Sequence, residues 1–188
     1  MTRIDRIKHS LCIIVAGMLL IGNPVFAQKK TVSTNLEINK KQRVEAILSQ
    51  MTIEEKLGQL TQHRWFWGDQ NEAKREELRQ KIRDGLVGSF LGVSGVEYSG
   101  NLQKIAVKES RLGVPLIFAQ DVIHGWRTTF PIPLAEAATW DPQSAETSAR
   151  IAAIEATAVG THWTFAPMVD IARDPRWGRI IEGSGEDP

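Results

Sequence analysis

The chain has 188 residues, about the size of one domain, and its 42% hydrophobic and 24% charged content argues against disorder and fibrous repeats. Lys and Arg total 23 against 22 for Asp and Glu, so the basic excess of a nucleic-acid-binding protein is missing. The single cysteine excludes a disulfide scaffold and a cysteine-based zinc site.

Residues 1–27 have the pattern of a secretory signal peptide. Three basic residues precede an apolar run from Leu11 to Ile21, and a small residue suited to signal cleavage follows at Ala27. The run is shorter than the roughly 20 apolar residues of a membrane-spanning helix, which makes an uncleaved anchor the less favoured alternative. We therefore predict cleavage after Ala27, location in the periplasm or the medium, and no stable membrane insertion of the mature chain.

The next segments alternate between polar and helical patterns. Residues 28–39 form a polar lead-in, and the folded domain is predicted to span residues 40–188. Thr52 and Glu55 have the spacing of a capping box that starts a helix. A charged helix is predicted over residues 72–84, and it ends at Gly85.

Short apolar runs alternate with further helices in the second half of the chain. The runs from Leu86 to Val93, Leu116 to Ala119 and Trp163 to Val169 predict three buried strands. One helix is expected around residues 102–106, and Asp141-Pro142 marks the start of another, since Asp caps helices and Pro suits the first helical position. This alternation predicts an α/β fold with a parallel sheet of about three strands and flanking helices.

Two aspartates lie at the carboxyl ends of predicted strands. Asp121 comes after the run ending at Ala119, and Asp170 comes after the run ending at Val169. Polar side chains at the carboxyl ends of parallel strands face the ligand crevice. The alternative for each is a structural role, as a helix cap or in an internal ion pair.

Residues 170–179 combine Arg, Asp and Trp. Arg donates several hydrogen bonds in fixed geometry, Asp accepts them from vicinal hydroxyls, and an indole stacks on an apolar ring face, which together suit a sugar pocket. An internal network that stiffens the loop is the alternative for Arg173, Asp174 and Arg176. Trp65 and Trp140 are predicted to fill the core.

The sequence lacks the motifs that are typical of several other enzyme classes. The chain has no HExxH, no phosphate-binding loop, no dinucleotide fingerprint and no serine nucleophile elbow. His63, His124 and His162 are scattered without the spacing of metal ligands. The sequence therefore predicts neither a metal site nor a cofactor.

Three ordered strings in residues 40–188 resemble the family 3 glycoside hydrolases. They are Met51 to Gln59, Ser110 to Gly125 with its continuation to Leu134, and Phe165 to Arg179 with the trailing residues 182–187. Within the family, Asp121-Val-Ile-His-Gly125 and Pro175-Arg-Trp-Gly-Arg179 are similar to the exported bacterial β-glucosidases. β-Xylosidases and exo-glucanases share much of this pattern.

The resemblance implies the start of a (β/α)8 TIM-type barrel, incomplete in this chain and normally followed by a second domain. It implies that Asp121 accepts hydrogen bonds from the terminal sugar and that Arg179 donates to the same sugar. The family hydrolyses β-glucosides or oligosaccharides with retention, using a nucleophile and an acid/base that lie downstream. We therefore expect no catalytic residue within these 188 residues and no activity of the chain alone. A sugar-binding remnant without catalysis and an unstable remnant are the alternatives, and the oligomeric state stays open.

Overall fold

The computed structural model of the chain describes residues 37–65 and 71–187. The predicted signal peptide and its cleavage point lie outside these residues. Residues 37–48 form a helix, α1, in a separate unit that ends at Gln50. Among the helices of the described ranges, none combines the length and the apolar character needed to cross a membrane.

The unit that starts at Met51 alternates helices with short parallel strands. Its elements are α2 (Ile53–Gln59), β1 (Gln62–Arg64), α3 (Glu72–Arg83), β2 (Ser89–Leu91), α4 (Val96–Glu109), β3 (Ile117–Gln120), α5 (Pro133–Ala137), α6 (Pro142–Ala158), β4 (Trp163–Thr164) and a 3-10 turn (Ile180–Glu182). The strands pair in parallel in the order β1-β2-β3-β4, and the sheet is not closed. The predicted α/β architecture is confirmed.

Within the described residues the sheet has four strands rather than the predicted three, because the sequence does not predict β1. Its outer residues, Gln62 and Arg64, are polar and exposed, so the sequence here lacks the apolar run of a buried strand. The strand predicted from Trp163 to Val169 is also shorter than expected and ends at Thr164. Pro167 has no N–H to donate to a strand ladder, which limits pairing beyond this point. Asp170 therefore lies six residues past the strand and does not close it.

The core lies between the sheet and helices α3 and α4. Phe90 and Phe118 are paired in register on β2 and β3, and both are almost completely buried. Ile82 of α3 and Leu102 of α4 pack into the same cluster, as the apolar spacing of the two helices predicts. Burial of each large apolar side chain contributes about 1.5–3 kcal/mol, so this cluster is the main stabilising feature of the sheet.

The two tryptophans predicted to fill the core differ in outcome. Trp65 is buried and meets Phe90 edge to face, with ring centroids 6.1 Å apart. Trp140 is 89% exposed, so its core assignment is wrong. It follows α5 with φ of +55°, in the left-handed conformation that ends helices, and its side chain is thereby directed into solvent.

The predicted helix signals are confirmed. The side chain of Thr52 accepts from the Glu55 backbone N–H and the Glu55 carboxylate accepts from the Thr52 N–H, which makes a complete capping box on α2. Asp141 caps α6 through the N–H of Gln143. Gly85 follows the end of α3 with φ of +73°, a conformation that glycine adopts without strain.

Glu55 has a second partner across the fold. Its carboxylate accepts from Arg111, with 3.0 Å between Nε and Oε1 and 2.5 Å between Nη2 and Oε2, and its side chain is only 11% exposed. The Arg111 guanidinium, followed by the Thr52 N–H, holds the pKa of Glu55 below its ordinary value. One carboxylate thus fixes the start of α2 and ties it to the loop before β3.

We predict that the Glu55→Gln substitution destabilises the protein at neutral pH and much less in acid. A lowered folded-state pKa stabilises the fold above the unfolded-state pKa of about 4.3, and this contribution is lost as the pH falls through the folded-state value. Thermal unfolding of both proteins between pH 7 and pH 3 measures the effect. A difference in melting temperature that stays constant across that range would show that the charge of Glu55 contributes nothing.

Helix α2 lies against the segment that joins α3 to β2, at a contact that leaves no room for a side chain. A Cβ on Gly58 would lie 2.2 Å from the Gly85 carbonyl oxygen. A Cβ on Gly88 would lie 2.4 Å from the carbonyl oxygen of Gln59. Both positions therefore require glycine for close backbone approach, whatever their secondary structure.

Candidate sugar-binding site

The two residues predicted to bind sugar lie in one surface cavity. Asp121 follows the last residue of β3 directly, at the carboxyl edge of the sheet, and its side chain is exposed. The cavity of about 420 Å³ also contains Arg179, from the loop after β4. Its lining residues are Asp121, Ile123, His124, Ile132, Pro133, Arg179, Ile181 and Glu182. Hydrogen-bonding groups beside apolar side chains match the two kinds of surface that a pyranose ring presents.

The loop after Asp121 is held by its own backbone. The Phe130 N–H donates to the His124 carbonyl at 2.8 Å, and His124 Nδ1 is 3.0 Å from the Phe130 carbonyl, which makes that nitrogen the protonated one. Gly125 has φ of +113°, and a Cβ there would lie 2.0 Å from the Thr128 carbonyl oxygen. This turn returns the chain to the cavity, where Ile132 contributes to the wall.

A carboxylate from helix α6 fixes the far end of the same loop. Glu155 accepts from the backbone N–H groups of Arg127 and Thr128, both at 2.8 Å, and from the Thr128 hydroxyl at 2.7 Å. These donors, with the Thr128 hydroxyl first, keep the pKa of Glu155 below its ordinary value. The ionised carboxylate satisfies the donors of a loop that has no regular secondary structure of its own.

Arg179 is oriented by a neighbouring carboxylate. Its Nε and Nη2 donate to the two oxygens of Glu182 at 3.0 and 2.6 Å, across the 3-10 turn. Glu182 is the main cause that raises the pKa of Arg179, and the charges of Asp170 and Asp121 raise it further. The arginine is therefore held in place by Glu182, the carboxylate that it binds.

The internal network predicted as an alternative role for Arg173, Asp174 and Arg176 is present in part. Arg176 donates through Nε and Nη2 to Asp174, with 2.6 Å between Nη2 and Oδ2, and this bond lowers the pKa of Asp174. Both residues stiffen the loop outside the cavity. Arg173 takes no part in that pair. Asp170 caps no described helix, and its charge helps to raise the pKa of Arg179.

The three histidines within the described residues lie in different places. His63 packs on Phe90, and desolvation followed by the charge of Lys81 lowers its pKa. His162 stacks on Phe118 and accepts from its backbone N–H at 3.2 Å, whereas His124 lines the cavity. Across residues 37–65 and 71–187, no group of three or more His, Cys, Asp or Glu is placed to hold a metal ion.

Comparison with known proteins identifies the family. Residues 52–188 match the sequence profile of the glycosyl hydrolase family 3 N terminal domain. A periplasmic beta-glucosidase from Salmonella typhimurium is 43% identical over 141 residues, which cover 75% of this chain and 18% of that protein. A putative beta-xylosidase from Formosa agariphila is 29% identical over 171 residues, with coverage of 81% and 22%. This chain therefore spans about a fifth of the length of these relatives.

Solved structures agree with the sequence comparison. The beta-glucosidase from Listeria innocua in complex with glucose superimposes with a TM-score of 0.68 at 42% identity, over 78% of this chain and 22% of that one. The same enzyme, as a mutant, has been crystallised with laminaribiose and matches equally well, with a TM-score of 0.68. The profile match, the relatives and the shared fold together establish that this chain belongs to glycosyl hydrolase family 3.

Proposed function

We propose that the full-length protein containing this chain is an exported β-glucosidase that removes terminal β-D-glucosyl residues from oligosaccharides or β-glucosides. The observation that carries the proposal is the meeting of Asp121 and Arg179 in one cavity at the carboxyl edge of the sheet. The 43% identity to a periplasmic beta-glucosidase supports glucose as the sugar and the periplasm as the location.

In this proposal the chain supplies the part of the subsite that holds the sugar. The Asp121 carboxylate accepts hydrogen bonds from adjacent hydroxyls of the terminal glucose, and Arg179 donates to an oxygen of the same ring. Charged partners make these bonds about twice as strong as bonds between neutral groups. Fixing the ring in this way holds the anomeric carbon in position for attack, and such positioning lowers the barrier to reaction.

The bond-breaking groups belong to the rest of the protein in this proposal. Retaining glycosidases use a nucleophilic carboxylate that forms a glycosyl-enzyme and a second carboxyl group that acts first as acid and then as base, roughly 5–5.5 Å apart. Residues 40–188 would form the N-terminal part of the barrel, after a signal peptide at residues 1–27. The 188-residue chain alone would then bind sugar weakly and hydrolyse nothing.

The test begins with the coding sequence beyond codon 188, followed by expression of the complete protein. We expect hydrolysis of an aryl β-glucoside, a β-configured first product by NMR, and no activity of the purified 188-residue chain. An α-configured first product would refute retention. Turnover by the purified 188-residue chain would refute the proposal that the bond-breaking groups lie in the rest of the protein. A complete protein inactive on all β-glycosides tested would refute the enzyme proposal.

A β-xylosidase is the second candidate, because a putative beta-xylosidase is 29% identical to this chain. Xylose lacks the exocyclic hydroxymethyl group of glucose. The ratio of kcat/KM for aryl β-glucoside and aryl β-xyloside therefore separates the two candidates. A ratio above one supports the β-glucosidase, and a ratio below one supports the β-xylosidase.

A further inference from the structure

The side chains of Arg179 and Glu182 form an ion pair with two hydrogen bonds, although both are partly exposed to solvent. The side-on fork joins Nε and Nη2 to the two carboxylate oxygens at 3.0 and 2.6 Å, so the guanidinium plane is fixed. This fork uses two of the five guanidinium hydrogens, and the three others remain available to a ligand. Both side chains line the cavity that contains Asp121.

The pair contributes little to stability. The side chains of Arg179 and Glu182 are 56% and 29% exposed, and they are three residues apart on one short turn. Exposed pairs of this kind typically contribute about 0–1 kcal/mol. The fork consequently orients a side chain rather than stabilising the fold, and its removal leaves a folded protein to study.

Other carboxylates compete for the same arginine. Asp170 and Asp121 both act electrostatically on Arg179, yet the described side chains show no ion pair between either of them and the guanidinium. Without Glu182, the guanidinium would be free to turn towards the carboxyl group of Asp121, which lines the same cavity. The donor and the acceptor for the sugar would then bind each other, and both would be lost to the substrate.

We propose that Glu182 is a positioning residue, which holds Arg179 in a donating orientation and prevents it from pairing with Asp121. The inference rests on the proposed function, because it assigns a role in the same sugar subsite. Glu182 touches no substrate in this scheme, and it acts entirely through Arg179. Two consequences follow: the effect of Glu182 on sugar binding exceeds its effect on stability, and it disappears once Arg179 has been replaced.

The test is a double-mutant cycle in the complete protein, with E182Q, R179K and the combined variant. We expect E182Q to lower kcat/KM for an aryl β-glucoside by about tenfold or more, the fold-change that corresponds to one charged hydrogen bond. R179K cannot form the fork, so adding E182Q to it should cost less than about twofold further. A structural role would instead give additive losses and a lower melting temperature for E182Q.

The matched control is Glu146→Gln, which removes the partner of Arg150 in an exposed pair of α6. We expect its kcat/KM and melting temperature to equal those of the unmodified protein. Full activity of E182Q, or losses that add with those of R179K, would overturn the role of Glu182 while leaving the proposed function intact.

A second readout separates the two proposals if the unmodified protein shows no hydrolysis. Calorimetric titration with gluconolactone then compares the unmodified protein with E182Q. Weaker binding by E182Q supports the positioning role even though the enzyme proposal has failed. Equal binding by the two proteins, or no binding by either, overturns the positioning role.

Discussion

Replacing Asp121 by Asn in the complete protein is expected to lower kcat/KM for an aryl β-glucoside by about 10- to 100-fold. A hydrogen bond to a charged group contributes about 1.5–3 kcal/mol, and each 1.36 kcal/mol corresponds to a factor of ten in rate. Asparagine keeps the shape of the side chain but turns one acceptor oxygen into a donor. The exposed Asp121 makes no hydrogen bond among the described side chains, so the melting temperature should not change.

Asp174→Asn is the matched control for this substitution. Asp174 is also an exposed aspartate of the loops at this edge, but it pairs with Arg176 and lies outside the cavity. Steady-state kinetics of both variants should show a large loss for Asp121→Asn and near-normal activity for Asp174→Asn. Equal losses in the two variants, or less than about a threefold loss for Asp121→Asn, would contradict the assignment of Asp121 to the sugar.

The second large effect concerns the contact between α2 and the segment that joins α3 to β2. We expect Gly58→Ala to lower the free energy of unfolding by about 1–3 kcal/mol or more, as overpacked cores generally do. The new methyl group would meet the backbone at Gly85 and Leu86, which has no flexible end that could move aside. Urea unfolding, followed by circular dichroism, measures the change.

Gly100→Ala is a control for which the free energy of unfolding should rise rather than fall. Gly100 lies within α4, and a Cβ there meets nothing within 4 Å. Alanine favours the helix over glycine by roughly 0.5–1 kcal/mol, so this variant should be more stable than the unmodified protein. A Gly58→Ala protein as stable as the unmodified one would mean that α2 can move away from Gly85 and Leu86 without loss of stability.

The elements predicted correctly are those whose signals are local. The Thr52 and Glu55 capping box, the Asp141 cap and the Gly85 stop each act within one helical turn, so sequence spacing is enough to reveal them. Strand β1 was missed because Gln62 and Arg64 are polar, and it forms only through its parallel partner β2. Trp140 was misplaced because its burial depends on the turn between two helices, where the left-handed backbone directs it outwards.

The residues of the site likewise differ in whether a local sequence signal reveals them. Asp121 and Arg179 were identified by motif resemblance, and their shared cavity results from folding, since 58 residues separate them. Glu182 carried a detectable signal, because it lies three residues from Arg179. Glu155 carried none, since it reaches the loop at Arg127 and Thr128 only once α6 packs beside that loop. Sequence spacing reveals partners within a turn, whereas support from distant helices requires the folded chain.

The strand order has a consequence for how this protein assembles during synthesis. Each strand pairs with the one completed just before it, and paired residues are 27, 28 and 44 positions apart at Gln62↔Ser89, Ser89↔Ile117 and Ala119↔Trp163. Loop-closure entropy grows only with the logarithm of length, so the longest closure costs about 0.4 kcal/mol more than the shortest. Among the described residues, the sheet can therefore grow one strand at a time as the chain emerges N-terminus first, because β2, β3 and β4 each pair with a strand that is already present.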